Sequence, residues 1–295
     1  MKKALTCGIV GSFFFAFTFV LNRSMNLAGG YWLWSAVLRY FLTLPILFLL
    51  LAPSRAYRPV LEQIRKSPGI WLLWSTVGFG LFYAPLSAAS VYAESWFTCA
   101  VWQFTIVAGV LLTPVFGKRI PMRNLGWSLV IVAGILLMQI PNFRAGSISL
   151  QAVGLIAIGA FAYPLGNRKM MQHCGDLATL QRVFGMTLCS IPFWLVCAVF
   201  SFRQAGIPTA GQCVQSLLVA LFSGVAATVL FFRATDLVKQ DARKLAIVEA
   251  TQCGEVVFTL LLGILFLHDT TPAPIAWAGI ALILIGMTAN SLSAK

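Results

Sequence analysis

The chain has 295 residues, 59% of them hydrophobic and only 10% charged, with a formal net charge of +13 and a mean hydropathy of +0.87. About a quarter of the residues of a soluble domain are charged, so this composition excludes one. A positive excess of this size in a soluble protein would point to nucleic acid, but its placement along this chain assigns it to a membrane, and no nucleic acid is expected as a partner.

In chain order, ten apolar runs fall at about 4–21, 32–51, 70–91, 95–115, 125–140, 150–167, 177–200, 212–232, 245–267 and 273–292. Each is near the roughly 20 residues that carry a helix across a hydrocarbon core of about 30 Å. Of the two structures that satisfy every backbone amide in lipid, such long apolar runs fit the helix. The fold class expected is all-α, a polytopic membrane protein of ten transmembrane helices. Lys2 and Lys3 ahead of the first run resemble a secretory signal. Nothing soluble follows for such a signal to export, so 4–21 reads as a retained first span.

The basic residues alternate in side. With a cytoplasmic N-terminus, the inner loops and ends collect Lys2, Lys3, Arg55, Arg58, Arg65, Lys66, Lys118, Arg119, Arg123, Arg168, Lys169, Arg233, Lys239, Arg243, Lys244 and Lys295. The outer side holds Arg23, Arg144 and Arg203, and Arg39 and Arg182 lie inside spans. Such asymmetry orients a membrane protein and predicts both termini in the cytoplasm, with the chain in the plasma membrane (the inner membrane of a bacterium).

Several chemistries are excluded. No hydrophilic stretch exceeds about twenty residues and no Gly-x-x-x-x-Gly-Lys-Ser/Thr sequence occurs, so neither ATP hydrolysis by this chain nor an ATPase subunit is expected. The seven cysteines contain no Cys-x-x-Cys pair and lie within or beside spans, which argues against a disulfide framework, a metal site or a cofactor. His173 and His268 fall in loops. A membrane enzyme would need a reactive constellation that these residues do not supply.

The two halves repeat. Span 1 ends in Asn22-Arg23-Ser24-Met25 and span 6 in Asn167-Arg168-Lys169-Met170. The next spans carry Arg39 then Pro45, and Arg182 then Pro192. Phe82-Tyr83 in span 3 matches Phe231-Phe232 in span 8, and Pro121 and Pro272 precede spans 5 and 10. Five spans per half invert the second copy. The expected organisation is one membrane domain of two inverted five-helix repeats, 1–147 and 148–295, an architecture recurrent in secondary transporters, with the substrate site at the midplane.

Span 9 and its end, Gly254-Glu255-Val256-Val257-Phe258-Thr259-Leu260-Leu261-Leu262-Gly263-Ile264-Leu265-Phe266-Leu267-His268-Asp269, resembles the ninth span of the ten-span EamA-like permeases of the drug/metabolite transporter superfamily. Glu255, Gly263 and Asp269 fall on that motif's first acid, glycine and closing acid, while Val256 replaces its usual proline and His268 its second glycine. Trp102-Gln103-Phe104 through Gly117-Lys118 is a degenerate copy in the first half. The resemblance implies a secondary transporter of small organic metabolites or drugs, usually an exporter. The superfamily's four-span multidrug proteins use a first-span glutamate, but spans 1 and 6 here hold no acid.

Ionisable residues at membrane depth mark function by default. Of the eight acids only Glu249 and Glu255 lie inside a span. On an unbroken helix Glu249, Gln252 and Glu255 share an arc of about 120°, the acids about 9 Å apart along the axis. That stripe predicts a substrate- or proton-binding face, since desolvation and a second acid nearby both raise a carboxyl pKa. Arg39 shares its face with Ser35 and Thr43 and could bind a substrate carboxylate or snorkel outward. Arg182, nearer a span end, reads as snorkelling. Span 3 shows a stripe of Thr76, Gly80, Tyr83, Ser87 and Ser90, and span 4 one of Ser95, Thr98, Trp102, Thr105 and Gly109. Both suit helix packing, with Tyr83 and Trp102 the members expected to reach a cavity. Gln103 completes the candidate set, and Tyr163-Pro164 marks a kink. Trp32, Trp71, Trp127 and Trp277 read as the interfacial belt.

The function expected is secondary active transport, export of a small organic solute with the proton as candidate coupling ion. The alternatives are a facilitated permease for a zwitterionic or cationic metabolite and, in another class, a channel or assembly subunit.

Overall fold

Among the described residues all regular structure is helical. The computed structural model describes residues 1–144, 150–174, 176–238 and 240–293. Lys239, Lys295 and the expected repeat junction at 147/148 lie outside the described residues. Nine helices there are long and apolar enough to cross a bilayer, and a tenth is shorter. They are α1 (Lys2–Leu27), α2 (Trp32–Leu51), α3 (Pro68–Tyr92), α4 (Ser95–Leu111), α5 (Met122–Arg144), α6 (Leu150–His173), α7 (Thr179–Ala205), α8 (Ala210–Asp236), α9 (Ile247–Leu267) and α10 (Pro274–Ser293). The chain is a polytopic helical membrane protein. A short helix, Arg58–Lys66, joins α2 to α3 and buries Val60.

Helix α4 is the short one because its sequence interrupts it. It breaks at Gln103 and gives way to a 3-10 turn, Thr113–Phe116. Pro114 has no amide hydrogen for the Val110 carbonyl, and the Thr113 hydroxyl donates to that carbonyl instead at 2.6 Å. Gly117, at φ 72°, then turns the chain in the left-handed region, where glycine is unhindered. Helix α9 ends the same way at His268, with φ 54° and ψ 32°. The second glycine of the motif that span 9 resembles is absent there, yet the helix still breaks.

Loop and helix starts are tied by reciprocal bonds at that end. The Ser95 amide and hydroxyl donate to the Asp269 carboxylate at 3.0 and 2.5 Å. In return, the Thr270 amide donates to Glu94 at 3.1 Å, as does the Thr270 hydroxyl.

The packing has an internal order. Helix α2 lies on α7, α4 on α9 and α5 on α10, while α1 packs on α8 and α3 on α6. Small residues permit the closest approaches, as expected where no hydrophobic force drives helices together in lipid. A methyl group on Gly134 or on Gly279 would lie 2.6 Å from the other's carbonyl oxygen. Where α5 and α10 meet at their other end, Asn124 donates to Asn290 Oδ1 at 2.8 Å and Asn290 donates to the Asn124 carbonyl at 3.2 Å. Trp71, expected at the interface, is fully buried. Its ring lies where a Gly185 side chain would be, so the missing Cβ admits it into the bundle.

Three π-turns, Thr76–Gly80 in α3, Ala220–Ala227 in α8 and Gly263–Leu267 in α9, and a 3-10 turn at Thr251–Cys253 in α9 interrupt the α-helical phase. Such turns commonly mark functional positions.

Candidate functional site

A cavity of about 370 Å³ lies between α1, α2, α3, α4, α6, α7, α8 and α9. The α5–α10 pair stands outside it as a buttress. One proline in the lining helices is compensated from a neighbouring helix. Pro164 leaves the Ala160 carbonyl without its helical donor, and the Thr105 hydroxyl of α4 donates to it at 3.2 Å. The turn that carries Tyr163 is thereby fixed against α4.

The walls are divided in chemistry. Phe82, Trp102 and Tyr163 form an aromatic group, with ring centroids 5.1 Å (Phe82–Trp102), 4.8 Å (Phe82–Tyr163) and 5.8 Å (Trp102–Tyr163) apart. Glu255 lines one side with Gln252 and Gln103, and the Gln103 side chain sits beside its carboxyl. Arg39 lines another. Its guanidinium carbon lies 4.0 Å from the centre of the Tyr83 ring, a cation–π geometry. Its Nη1 and Nη2 donate to Thr18 Oγ1 and Ser223 Oγ at 3.4 and 3.3 Å, and those hydroxyls are 2.5 Å apart. Arg182 joins the wall from α7. Tyr163 is within electrostatic reach of Glu255 and of both arginines. Among the described residues, none of these three charges has an ion-pair partner.

The cavity runs toward the α6–α7 loop. A second hollow of about 420 Å³ there, bordered by Ala178, Arg233 and Asp236, shares Thr179 and Phe232 with it. The other end is crossed by hydrogen bonds. Asn22 donates to the Tyr83 hydroxyl at 2.9 Å, Arg23 to the Ser90 carbonyl at 3.1 Å, and Gln212 to the Tyr31 carbonyl and Ser35 hydroxyl at 2.8 and 2.9 Å.

Of the residues singled out from sequence, Glu255, Gln252, Arg39, Trp102 and Gln103 border one cavity. Glu249 and Tyr83 are not among its lining residues. The stripe joining Glu249 to Glu255 is a cavity face only in part: the lining of α9 stops at Gln252, and the 3-10 turn at Thr251–Cys253, rising about 2.0 Å per residue instead of 1.5 Å, lengthens the axial distance from Glu255 to Glu249. Tyr83 is fully buried behind Arg39. The polar stripe of α3 is a packing face: Ser87 donates to the Trp32 carbonyl at 3.0 Å, and Asn26 donates to Ser90. The cavity face is the neighbouring Phe79, Phe82 and Leu86. Arg182, read as snorkelling to the interface, lines the cavity. Tyr163, noted only for its kink, and Phe82, noted only as a repeat marker, are wall residues. Thr18 and Ser223 carried no sequence signal, being single hydroxyls in apolar helices.

A family model described as "EmrE: Putative multidrug resistance efflux transporter" matches residues 2–295. A Bacillus subtilis (strain 168) protein, "Uncharacterized protein YjlA", is 45% identical over 309 residues, covering 99% of this chain and 95% of its own. A Shouchella clausii protein, "Uncharacterized 42.1 kDa protein in intracellular alkaline protease 3'region", is 43% identical over 269 residues, 86% of this chain and 70% of its own. One solved crystal structure shares the fold with a TM-score of 0.66 over 98% of this chain and 97% of its own, at 16% identity.

Proposed function

The chain belongs to the multidrug resistance efflux transporter family, and from that premise we propose that it exports a small organic solute by alternating access, in exchange for protons. The observation that carries this reading is Glu255, a carboxyl lining a central cavity with no ion-pair partner among the described residues. Such a group either binds a proton or pairs with a cationic group of the solute, and the two compete.

The inverted-repeat reading is supported by the packing order. Exchanging each helix with its counterpart five positions on maps the pairs α2–α7, α4–α9 and α5–α10 onto themselves and exchanges α1–α8 with α6–α3. The π-turns of α3 and α8 fall at matching places, as do the left-handed residues Gly117 and His268. With both termini in the cytoplasm of a bacterial inner membrane, the open end of the cavity faces inward and the hydrogen-bonded end outward, an inward-facing state. Interconversion of the halves would supply the opposite state.

One charge moved across 100 mV supplies about 2.3 kcal/mol, and about 1.4 kcal/mol corresponds to a factor of ten. Voltage alone then supports a gradient of roughly forty-fold. The test is Glu255→Gln in proteoliposomes. Uphill transport driven by a pH gradient is expected to disappear while downhill exchange persists. Wild-type flux indifferent to imposed pH gradient and voltage would refute proton coupling and leave facilitated permeation. Flux without saturation or counterflow would refute the carrier itself.

A further inference from the structure

If the efflux reading holds, the charges of the same cavity narrow its ligand. Arg39 and Arg182 bring two positive charges to the wall against one carboxyl, Glu255. A guanidinium does not lose its proton in proteins, and charge at membrane depth is costly unless paired. A hydrophobic monocation entering this cavity would meet two like charges for one opposite. A monoanion would balance the net charge of the wall but bring no hydrogen-bond donor to Glu255, leaving that carboxyl to Arg182.

Both poles border the aromatic group, whose Tyr163 is within electrostatic reach of Glu255 and of Arg39. Arg39 rests on Tyr83, whose chain neighbour Phe82 belongs to the aromatic group, its ring 5.6 Å from that of Tyr83. At the other end of the group Trp102 is the chain neighbour of Gln103, which sits beside Glu255. An aromatic surface therefore links the cationic pole to the anionic one. The bonds from Arg39 to Thr18 and Ser223, at 3.4 and 3.3 Å, are longer than the usual 2.7–3.2 Å range. A carboxylate accepting both N–H groups in a fork would form shorter, charge-assisted bonds. The volume of about 370 Å³ is near the lower end of small-molecule sites, roughly 300–1,000 Å³.

We infer that the transported solute is a compact zwitterion with an aromatic body between its charges, the carboxylate held by Arg39 and the ammonium by Glu255. Protonation of Glu255 removes the ammonium's counter-charge and releases that end, which is how proton and solute would alternate.

The experiment uses the full chain in nanodiscs and proteoliposomes with four probes. They are 4-(aminomethyl)benzoate as the zwitterion, benzylamine as its cation, 4-methylbenzoate as its anion, and tetraphenylphosphonium as a bulky drug cation. The zwitterion is expected to bind at least about ten-fold more tightly than each of the others. Arg39→Gln is expected to reduce its affinity to that of benzylamine, and Glu255→Gln to that of 4-methylbenzoate. Arg39→Lys, which keeps the charge and loses the fork, is expected to fall between wild type and Arg39→Gln, and serves if Arg39→Gln does not fold. Benzylamine or tetraphenylphosphonium bound as tightly as the zwitterion, or no binding of the zwitterion, would overturn the inference. Saturable, proton-driven flux of tetraphenylphosphonium alone would overturn it while leaving the efflux reading intact.

Discussion

The Arg39 guanidinium carbon lies over the Tyr83 ring, 4.0 Å from its centre, while the hydroxyl of the same tyrosine accepts a bond from Asn22 at 2.9 Å. One side chain thus touches both the cavity's charge and the seal at its closed end. Removing the ring and removing the hydroxyl should have separable effects. Tyr83→Leu loses a cation–π contact worth about 0.5–2 kcal/mol, so solute affinity should fall by about two- to thirty-fold. Tyr83→Phe should hold affinity within about two-fold while increasing labelling of the cavity from the outer side. Equal effects of the two variants on affinity would contradict the arrangement.

The Asp269 carboxylate, buried at the end of the bundle opposite the α6–α7 loop, accepts two bonds from Ser95, and Asp269→Ala leaves a buried amide unpaired, a cost of about 1–3 kcal/mol. The expected result is a population shifted toward the outward-open form, read as faster reaction of an impermeant thiol reagent with a cysteine at Phe82 in a cysteine-free background. Unchanged reactivity, in the single variant and in the double variant with Glu94→Ala, would show that these bonds do not hold the seal.

Gly279 meets Gly134 backbone to backbone, so Gly279→Val must push the helices apart, at about 1–3 kcal/mol or more. Asn290→Ala, which removes an interhelical hydrogen-bond pair, should cost less, about 0.6–1.7 kcal/mol. Thermal unfolding in detergent should rank the Tm values wild type, Asn290→Ala, Gly279→Val. A Gly279→Val protein as stable as its parent would rule out the close contact.

Topology can be checked with single cysteines at exposed sites. Glu62 and Gln204 are both exposed. Glu62→Cys should react with an impermeant maleimide only from the cytoplasmic side, and Gln204→Cys only from outside. The reverse pattern would invert the proposed orientation.

The number and approximate limits of the spans were legible in the sequence because bilayer thickness imposes them on each helix separately. Glu255 was legible because an acid in an apolar span stands out against its local background. Gln103 and Trp102 stood out in the same way, near a degenerate copy of the span 9 motif. Which side of each helix faces the cavity was not legible. The lining of α9 stops at Gln252 and leaves Glu249 out, and a stripe drawn along one helix does not show where the neighbouring helices end the cavity. Tyr83 and Phe82 are adjacent, and only the neighbours α1 and α2, which cover Tyr83, leave Phe82 to the cavity. Arg182 and Tyr163 likewise became wall residues through the helices packed around them. Span length is a property of one segment in one solvent, so the sequence by itself determined it. The lining of a cavity is what several helices leave uncovered, so it was decided only when all of them were packed together.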